Sequence, residues 1–229
     1  MSNRNSSGVR PVLCYVTDRR TLASSGTTSA TADALLNIVQ AAAAAGVDWI
    51  QIREKDLSGR ECSALVREAL GRVAKSCHGS GGTRIVINDR LDVALAERSG
   101  GVHLRADSFA VGEARRLLAA RSGLTQGFLL GVSCHSLREA QEAANSGADY
   151  IFFGPVYATP SKARYGHAQG PEKLAEVCGA VGIPVLAVGG INLENASECL
   201  AAGAAGIAAI RLFQESQDID QVVLTMRSS

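Results

Sequence analysis

The chain has 229 residues, with 23 Lys and Arg against 22 Asp and Glu and a formal net charge of +1. That balance argues against a basic nucleic-acid surface, and a hydrophobic share of 46% excludes a disordered chain. Only 4% of residues are aromatic, so the core has to be built from Ala, Val, Leu and Ile. After a polar tail (residues 1–10, MSNRNSSGVR, without the apolar h-region of a signal peptide), short apolar runs alternate with helical patterns to the C-terminus. The strand candidates are VLCYVTD from Val12, WIQIRE from Trp49, RIVIND from Arg84 and GVHLR from Gly101. FLLGVSCH from Phe128, YIFFGPV from Tyr150, PVLAVGGI from Pro184 and GIAAIRLF from Gly206 complete the set. Between them, Cys62, Leu65, Val66, Ala69, Leu70 and Val73 recur at the spacing of one helix face. A last helix is predicted around Ile219, and Thr21–Thr31 and SCHGSGGT before Arg84 read as loops.

Gly46, Gly100, Gly147 and Gly203 each stand between a helix pattern and a strand, where a left-handed residue ends the helix. Eight strands alternating with eight helices fit one closed (β/α)8 barrel over residues 1–229, an α/β fold, better than an open doubly wound sheet. No apolar run reaches the roughly 18 residues of a membrane span. The six cysteines show no metal-ligand spacing and read as reduced thiols of a cytoplasmic protein. A homo-oligomer is compatible with all of this.

In such barrels the chemistry lies at the carboxyl ends of the strands. Gln51, Arg53 and Lys55 are spaced by two and share a face, as a binding site or as an inter-strand salt-bridge layer. Asn88 and Asp89 end strand three, either as Mg²⁺-suited oxygens or as the N-cap of the following helix. His103 ends strand four with Asp107 beyond it, and Ser133 and His135 end strand five, a hydroxyl beside a candidate acid/base. Thr159, Ser161 and Lys162 follow strand six. With Gly189 and Gly190 after strand seven and Ile210 and Arg211 after strand eight, they suit a phosphate. From the residues alone the reading is a barrel for one or two phosphorylated ligands, with Mg²⁺.

Taken in order, QIREK, NDR, GVHL, GVSCHS, SGADYIFFGPVYATPSK and VLAVGGI resemble the thiamine phosphate synthase family from Tyr15 to Phe213. The resemblance implies a transferase that joins a pyrimidine pyrophosphate to a thiazole phosphate and releases pyrophosphate. It implies that Gln51, Arg53 and Lys55 bind the pyrimidine and its pyrophosphate, that Asn88 and Ser133 face the pyrimidine, and that Lys162 reaches the pyrophosphate. Asp89 would hold Mg²⁺. Thr159, Ser161, Gly190 and the Ile210–Arg211 pair, next to Gly189, would hold the thiazole phosphate. Arg53, Lys162, Ser133 and His135 are the catalytic candidates.

Two positions depart from the family pattern. Where the family has H-L-G-Q-x-D, this chain has HLRADS, so Ser108 takes the place of the second metal-binding Asp and Asp107 lies one residue early. Arg211 stands where a small hydroxyl residue is usual. A sister group, the thiazole tautomerases, carries Ser at the first of these positions and would use His135 for proton transfer. It replaces Gln51, Lys55, Asn88 and Asp89, which this chain retains. A non-catalytic phosphate-binding barrel is the third reading.

Overall fold

Eight short strands pair in parallel, each with its neighbours in sequence, and the last closes on the first. They are β1 (Val12–Val16), β2 (Trp49–Ile52), β3 (Arg84–Asn88), β4 (Gly101–Leu104), β5 (Leu129–Cys134), β6 (Tyr150–Phe153), β7 (Val185–Val188) and β8 (Gly206–Ala209). This computed structural model describes residues 10–22, 28–76, 82–121, 127–159 and 168–228. The helices are α1 (Thr28–Ala44), α2 (Gly59–Ser76), α3 (Leu91–Ala96), α4 (Val111–Ala119), α5 (Leu137–Asn145), α6 (Gly170–Ala180), α7 (Ala196–Ala201), α8 (Arg211–Gln214) and α9 (Ile219–Arg227). The expected (β/α)8 barrel is the one observed. Six strands begin at the residue read from sequence, and β5 and β7 begin one later. No helix among the described residues is long and apolar enough to cross a membrane.

The period of two in each strand sorts the apolar residues into two layers. Leu13, Tyr15, Ile50, Ile52, Ile85, Ile87, Val102, Leu104 and Leu130 pack outward against the helices and are essentially inaccessible to solvent. Cys14, Val16, Tyr150, Phe152, Leu186 and Ala208 form a second cluster with Trp49 and Leu129, which fills the barrel interior. On α2, Cys62, Leu65, Val66, Ala69 and Val73 are buried as the helical spacing predicts. Each large aliphatic side chain removed from water in this way stabilises the fold by about 1.5–3 kcal/mol.

Several local expectations need correction. The last unit carries two helices rather than one, because Arg211–Gln214 turn once before Ile219–Arg227 packs back. Of the stretch Thr21–Thr31, Thr21 and Leu22 belong to a 3₁₀ turn (Arg19–Leu22) and α1 already begins at Thr28, so the loop is shorter than read; residues 23–27 lie outside the described residues. The N-cap of α3 is Arg90, with no side-chain capping bond, so Asn88 and Asp89 do not serve as its cap.

The four helix-to-strand junctions share one hydrogen-bond pattern. Gly46, Gly147 and Gly203 are left-handed, with φ of 86°, 91° and 95°. Each donates its N–H three residues back, and the next residue donates five back, as in Val47 N to Ala42 O at 3.0 Å. In the second junction the left-handed residue is Arg98 (φ 52°), not Gly100, and Ser99 N reaches Ala94 O at 3.0 Å. Gly100 is needed for a different reason: a Cβ there would come within 3.2 Å of Arg84 Cβ and of the Ile85 carbonyl. A non-glycine residue in the left-handed conformation of Arg98 costs about 1–2 kcal/mol. Arg98→Gly is therefore expected to raise stability by about 0.5–1 kcal/mol in urea unfolding, since glycine's greater unfolded-state entropy offsets part of the relief. Destabilisation would show that the Arg98 backbone is not strained.

Candidate active site

Continued one step toward the strand ends, the inward register changes from apolar to polar. Gln51, Asn88, His103 and Ser133 sit there, bounding a cavity of about 490 Å³ whose floor and walls include Val16, Phe152, Val188 and Ala208. Gln51 is buried and its Nε2 donates to Asn88 Oδ1 at 3.1 Å, so the β2–β3 pair presents two amides locked to each other. His103, 1% exposed, lies between Tyr150 and Ser133: Nδ1 is 3.1 Å from the Tyr150 hydroxyl and Nε2 is 3.0 Å from Ser133 Oγ. Its ring packs on Phe152 with centroids 4.1 Å apart. A neutral imidazole donates through one nitrogen and accepts through the other, so His103 fixes the orientation of Ser133. Ser133 has one proton and two lone pairs, and one contact with His103 does not exhaust them.

Beyond β2 and β4 the site becomes cationic. Arg53 lines the cavity, its Nη1 3.8 Å from Asp18 Oδ2. Lys55 is exposed. Partial desolvation, then the positive charges of Arg53, Arg105 and Arg20, hold its ammonium below the usual lysine range. Asp89 carries a left-handed backbone (φ 58°) and its Oδ2 lies 3.2 Å from Arg105 Nε, which is also 2.9 Å from Asp107 Oδ1. This corner rests on a buried polar base. The Glu54 carboxylate accepts from Thr17 Oγ1 at 2.6 Å and from Arg19 Nη1 at 3.0 Å, and Arg19 also forks onto both Asp56 oxygens at 2.8 and 2.9 Å. The Arg19 guanidinium holds the Asp56 carboxyl below its ordinary range. The salt-bridge layer expected of Gln51, Arg53 and Lys55 inside the barrel is not what is found: the buried ion pair is Glu54 with Arg19, on the outward register between Arg53 and Lys55.

The third corner is formed by the ends of β6, β7 and β8. Gly189 and Gly190 have φ of 96° and 70°, and a Cβ on Gly190 would lie 2.7 Å from Tyr157 Cβ. Glycine is required here both by conformation and by approach. Thr159, Ile210 and Arg211 line the same wall, and Arg211 Nη2 donates to Thr159 Oγ1 at 3.3 Å. Asn192 and Glu215 complete it. Asn195 clamps the turn, donating through Nδ2 to the Gly190 carbonyl at 2.9 Å and accepting from Asn192 N at 2.9 Å.

Of the residues read from sequence, Gln51, Arg53, Asn88, Ser133, Thr159, Gly189, Gly190, Ile210 and Arg211 line one cavity. Lys55, Asp89 and Asp107 are not among the lining residues: the two carboxylates meet at Arg105, and Lys55 lies near Arg53 and Arg105. Ser161 and Lys162 lie outside the described residues. His135 is not among the cavity-lining residues: its Nδ1 donates to the Gly154 carbonyl and its backbone N–H to Glu139 Oε2 at 2.6 Å. Cys134 beside it is buried, which pushes its thiol up to about 12, and the pair forms no dyad. Arg105, Phe152, Asn192 and Glu215 were not assigned from sequence. Arg105 could have been found by extending the inward register of β4 one step past His103, and Phe152 by following that of β6 from Tyr150.

The family model for thiamine monophosphate synthase matches residues 22–213. The chain belongs to that family. A thiamine-phosphate synthase from Methanocella arvoryzae is 39% identical over 191 residues, 83% of this chain and 85% of the relative. One from Chlorobium luteolum is 36% identical over 216 residues, 94% and 91% of the two chains. The solved structure of thiamine phosphate pyrophosphorylase from Pyrococcus furiosus superposes with a TM-score of 0.75 at 30% identity, covering 95% of this chain and 94% of that one. Within a synthase-family site, the Gly189–Gly190 wall gives a direct test. Gly190→Ala should raise KM for a phosphate-bearing substrate by about tenfold or more, through loss of roughly 1.4 kcal/mol of binding, with a smaller change in kcat. An unchanged KM would remove this wall from the phosphate site.

Proposed function

We propose that this chain is a transferase that condenses a hydroxymethylpyrimidine pyrophosphate with a thiazole phosphate, or its carboxylate, to give thiamine phosphate and pyrophosphate. The single observation that carries the reading is the arrangement of the cavity. A cationic corner at Arg53, with Lys55 beside it, and a glycine-walled corner at Thr159, Gly190 and Arg211 flank one polar floor of Asn88 and Ser133; of these only Lys55 is not among the lining residues. Two anionic substrates would be anchored by their charged ends with their rings meeting over that floor.

The residues suit the chemistry. The bond between the pyrimidine methylene and pyrophosphate breaks with its electron pair on the leaving oxygen, and the lone pair of the thiazole nitrogen forms the new carbon–nitrogen bond. Negative charge builds on the leaving group and positive character on the methylene, so no protein nucleophile is required. Arg53 and Lys55 stabilise the leaving anion, and the family resemblance adds Lys162 to them. Gln51, held by Asn88, and Ser133, held by His103, orient the pyrimidine ring. Docking both substrates in attack geometry is the protein's main contribution.

The oxygen donors at the rim suit Mg²⁺, which takes one or two carboxylates and keeps water. Among the described residues no group of three or more His, Cys, Asp and Glu could hold a metal. Asp89 and Asp107, aimed at one point, are the pair that would hold Mg²⁺, and the ion would supply positive charge to the pyrophosphate. No observation favours the tautomerase reading, because His135 is engaged with Gly154 and is not among the cavity-lining residues.

Purified protein given both substrates and Mg²⁺ should produce thiamine phosphate and pyrophosphate in equal amounts, followed by chromatography. Asp89→Ala should cut the rate by about a hundredfold or more, and His135→Ala should leave it within about threefold. Absence of product, together with isomerisation of a thiazole carboxylate phosphate that His135→Ala abolishes, would overturn the synthase reading.

A further inference from the structure

Arg105 follows β4 two residues after His103, at a position where the synthase pattern has glycine. One nitrogen of its side chain, Nε, lies 2.9 Å from Asp107 Oδ1 and 3.2 Å from Asp89 Oδ2. Its backbone N–H is 3.5 Å from the other Asp89 oxygen. Two carboxylates from successive strand ends therefore converge on a single point, and that point holds the chain's own monocation. Without a cation between them the two like charges would repel.

A divalent ion bound by this pair needs the same oxygen atoms. The guanidinium occupies the space between them, and a monocation about 3 Å away repels a dication. Arg105 is not locked by packing: its side chain is 47% exposed and Asp107 is 78% exposed. An ion pair this open is weak and exchangeable.

We propose that Arg105 is an internal counter-cation for Asp89 and Asp107, and that a divalent ion binds by exchange, the guanidinium leaving as the ion enters. The inference rests on reading Asp89 and Asp107 as the cation-holding pair, and is independent of which reaction the cavity performs. Its consequence is that the native chain holds a divalent ion more weakly than its carboxylates alone would, while the pair never stands uncompensated.

Mn²⁺ alone is the probe, titrated into the full chain and followed by the electron paramagnetic resonance signal of the free ion. Arg105→Ala should bind one Mn²⁺ on the order of tenfold more tightly than the native chain, from removal of the ion pair and of the nearby positive charge. Arg105→Gln keeps the length of the side chain and should show the same direction if the alanine variant folds poorly. Asp89→Asn added to either variant should abolish the gain. Equal or weaker Mn²⁺ binding in both Arg105 variants, or a gain that survives Asp89→Asn, would overturn the proposal. Absence of thiamine phosphate formation by the native chain, with the Mn²⁺ result intact, would instead count against the proposed reaction.

Discussion

Closure of the sheet is the constraint on which the rest depends. In a parallel barrel with no edges, every second residue of every strand must point inward, into a space that only side chains can fill. Below the cavity Cys14, Tyr150 and Leu186 fill it with apolar volume. At the carboxyl ends the same register delivers Gln51, Asn88, His103 and Ser133, none of which would be stable there singly. They are stable because each is bonded across strands: Gln51 to Asn88, and Tyr150 through His103 to Ser133. A buried polar group with a partner costs little, whereas one without costs about 1–3 kcal/mol. The site floor is thus also a structural layer, oriented before any ligand arrives.

Charge is organised by the same geometry. The chain is nearly neutral, with 23 basic and 22 acidic residues, yet Arg53, Lys55 and Arg105 gather beyond β2 and β4, and Arg53 and Arg211 line the cavity from different strands. The depressed ammonium of Lys55 records that gathering, since partial desolvation and neighbouring cations both disfavour its charge. An incoming polyanion relieves this repulsion, so the cost of assembling the cations becomes part of the selectivity for substrate. The acidic counterweights stand close by: Asp18 near Arg53, Glu54 and Asp56 on Arg19, and Asp89 and Asp107 on Arg105. Net charge therefore says little about such a protein, and the placement of each charge says much.

Much of this was legible in the sequence because it follows from short-range rules. Alternation marked the strands, and inward positions at their ends marked Gln51, Asn88 and Ser133. The glycine pair marked a wall that a Cβ would close. What was not legible depends on partners distant in sequence. Arg98 takes the left-handed turn that the pattern assigned to Gly100, because α3 ends two residues early and the Schellman bonds close on Ser99. Glu54 reads as an ordinary charged residue until Thr17 and Arg19 close over it from 37 and 35 positions away. Arg105 looked like a mere departure from a family motif, and its role between two carboxylates appears only once β3 and β4 lie side by side. The family resemblance supplied the pairing of pyrimidine and thiazole, which no periodicity could have named.

The central claim is that one cavity docks two anionic substrates by opposite ends over a shared polar floor. A crystal structure of the full chain with a pyrimidine pyrophosphate analogue and a thiazole phosphate tests it directly. The account predicts the thiazole phosphate against Gly189, Gly190, Thr159 and Arg211, the pyrophosphate against Arg53 and Lys55, and the pyrimidine ring over Asn88 and Ser133. Both phosphates in one corner, or either ring lying outside the barrel mouth, would contradict it.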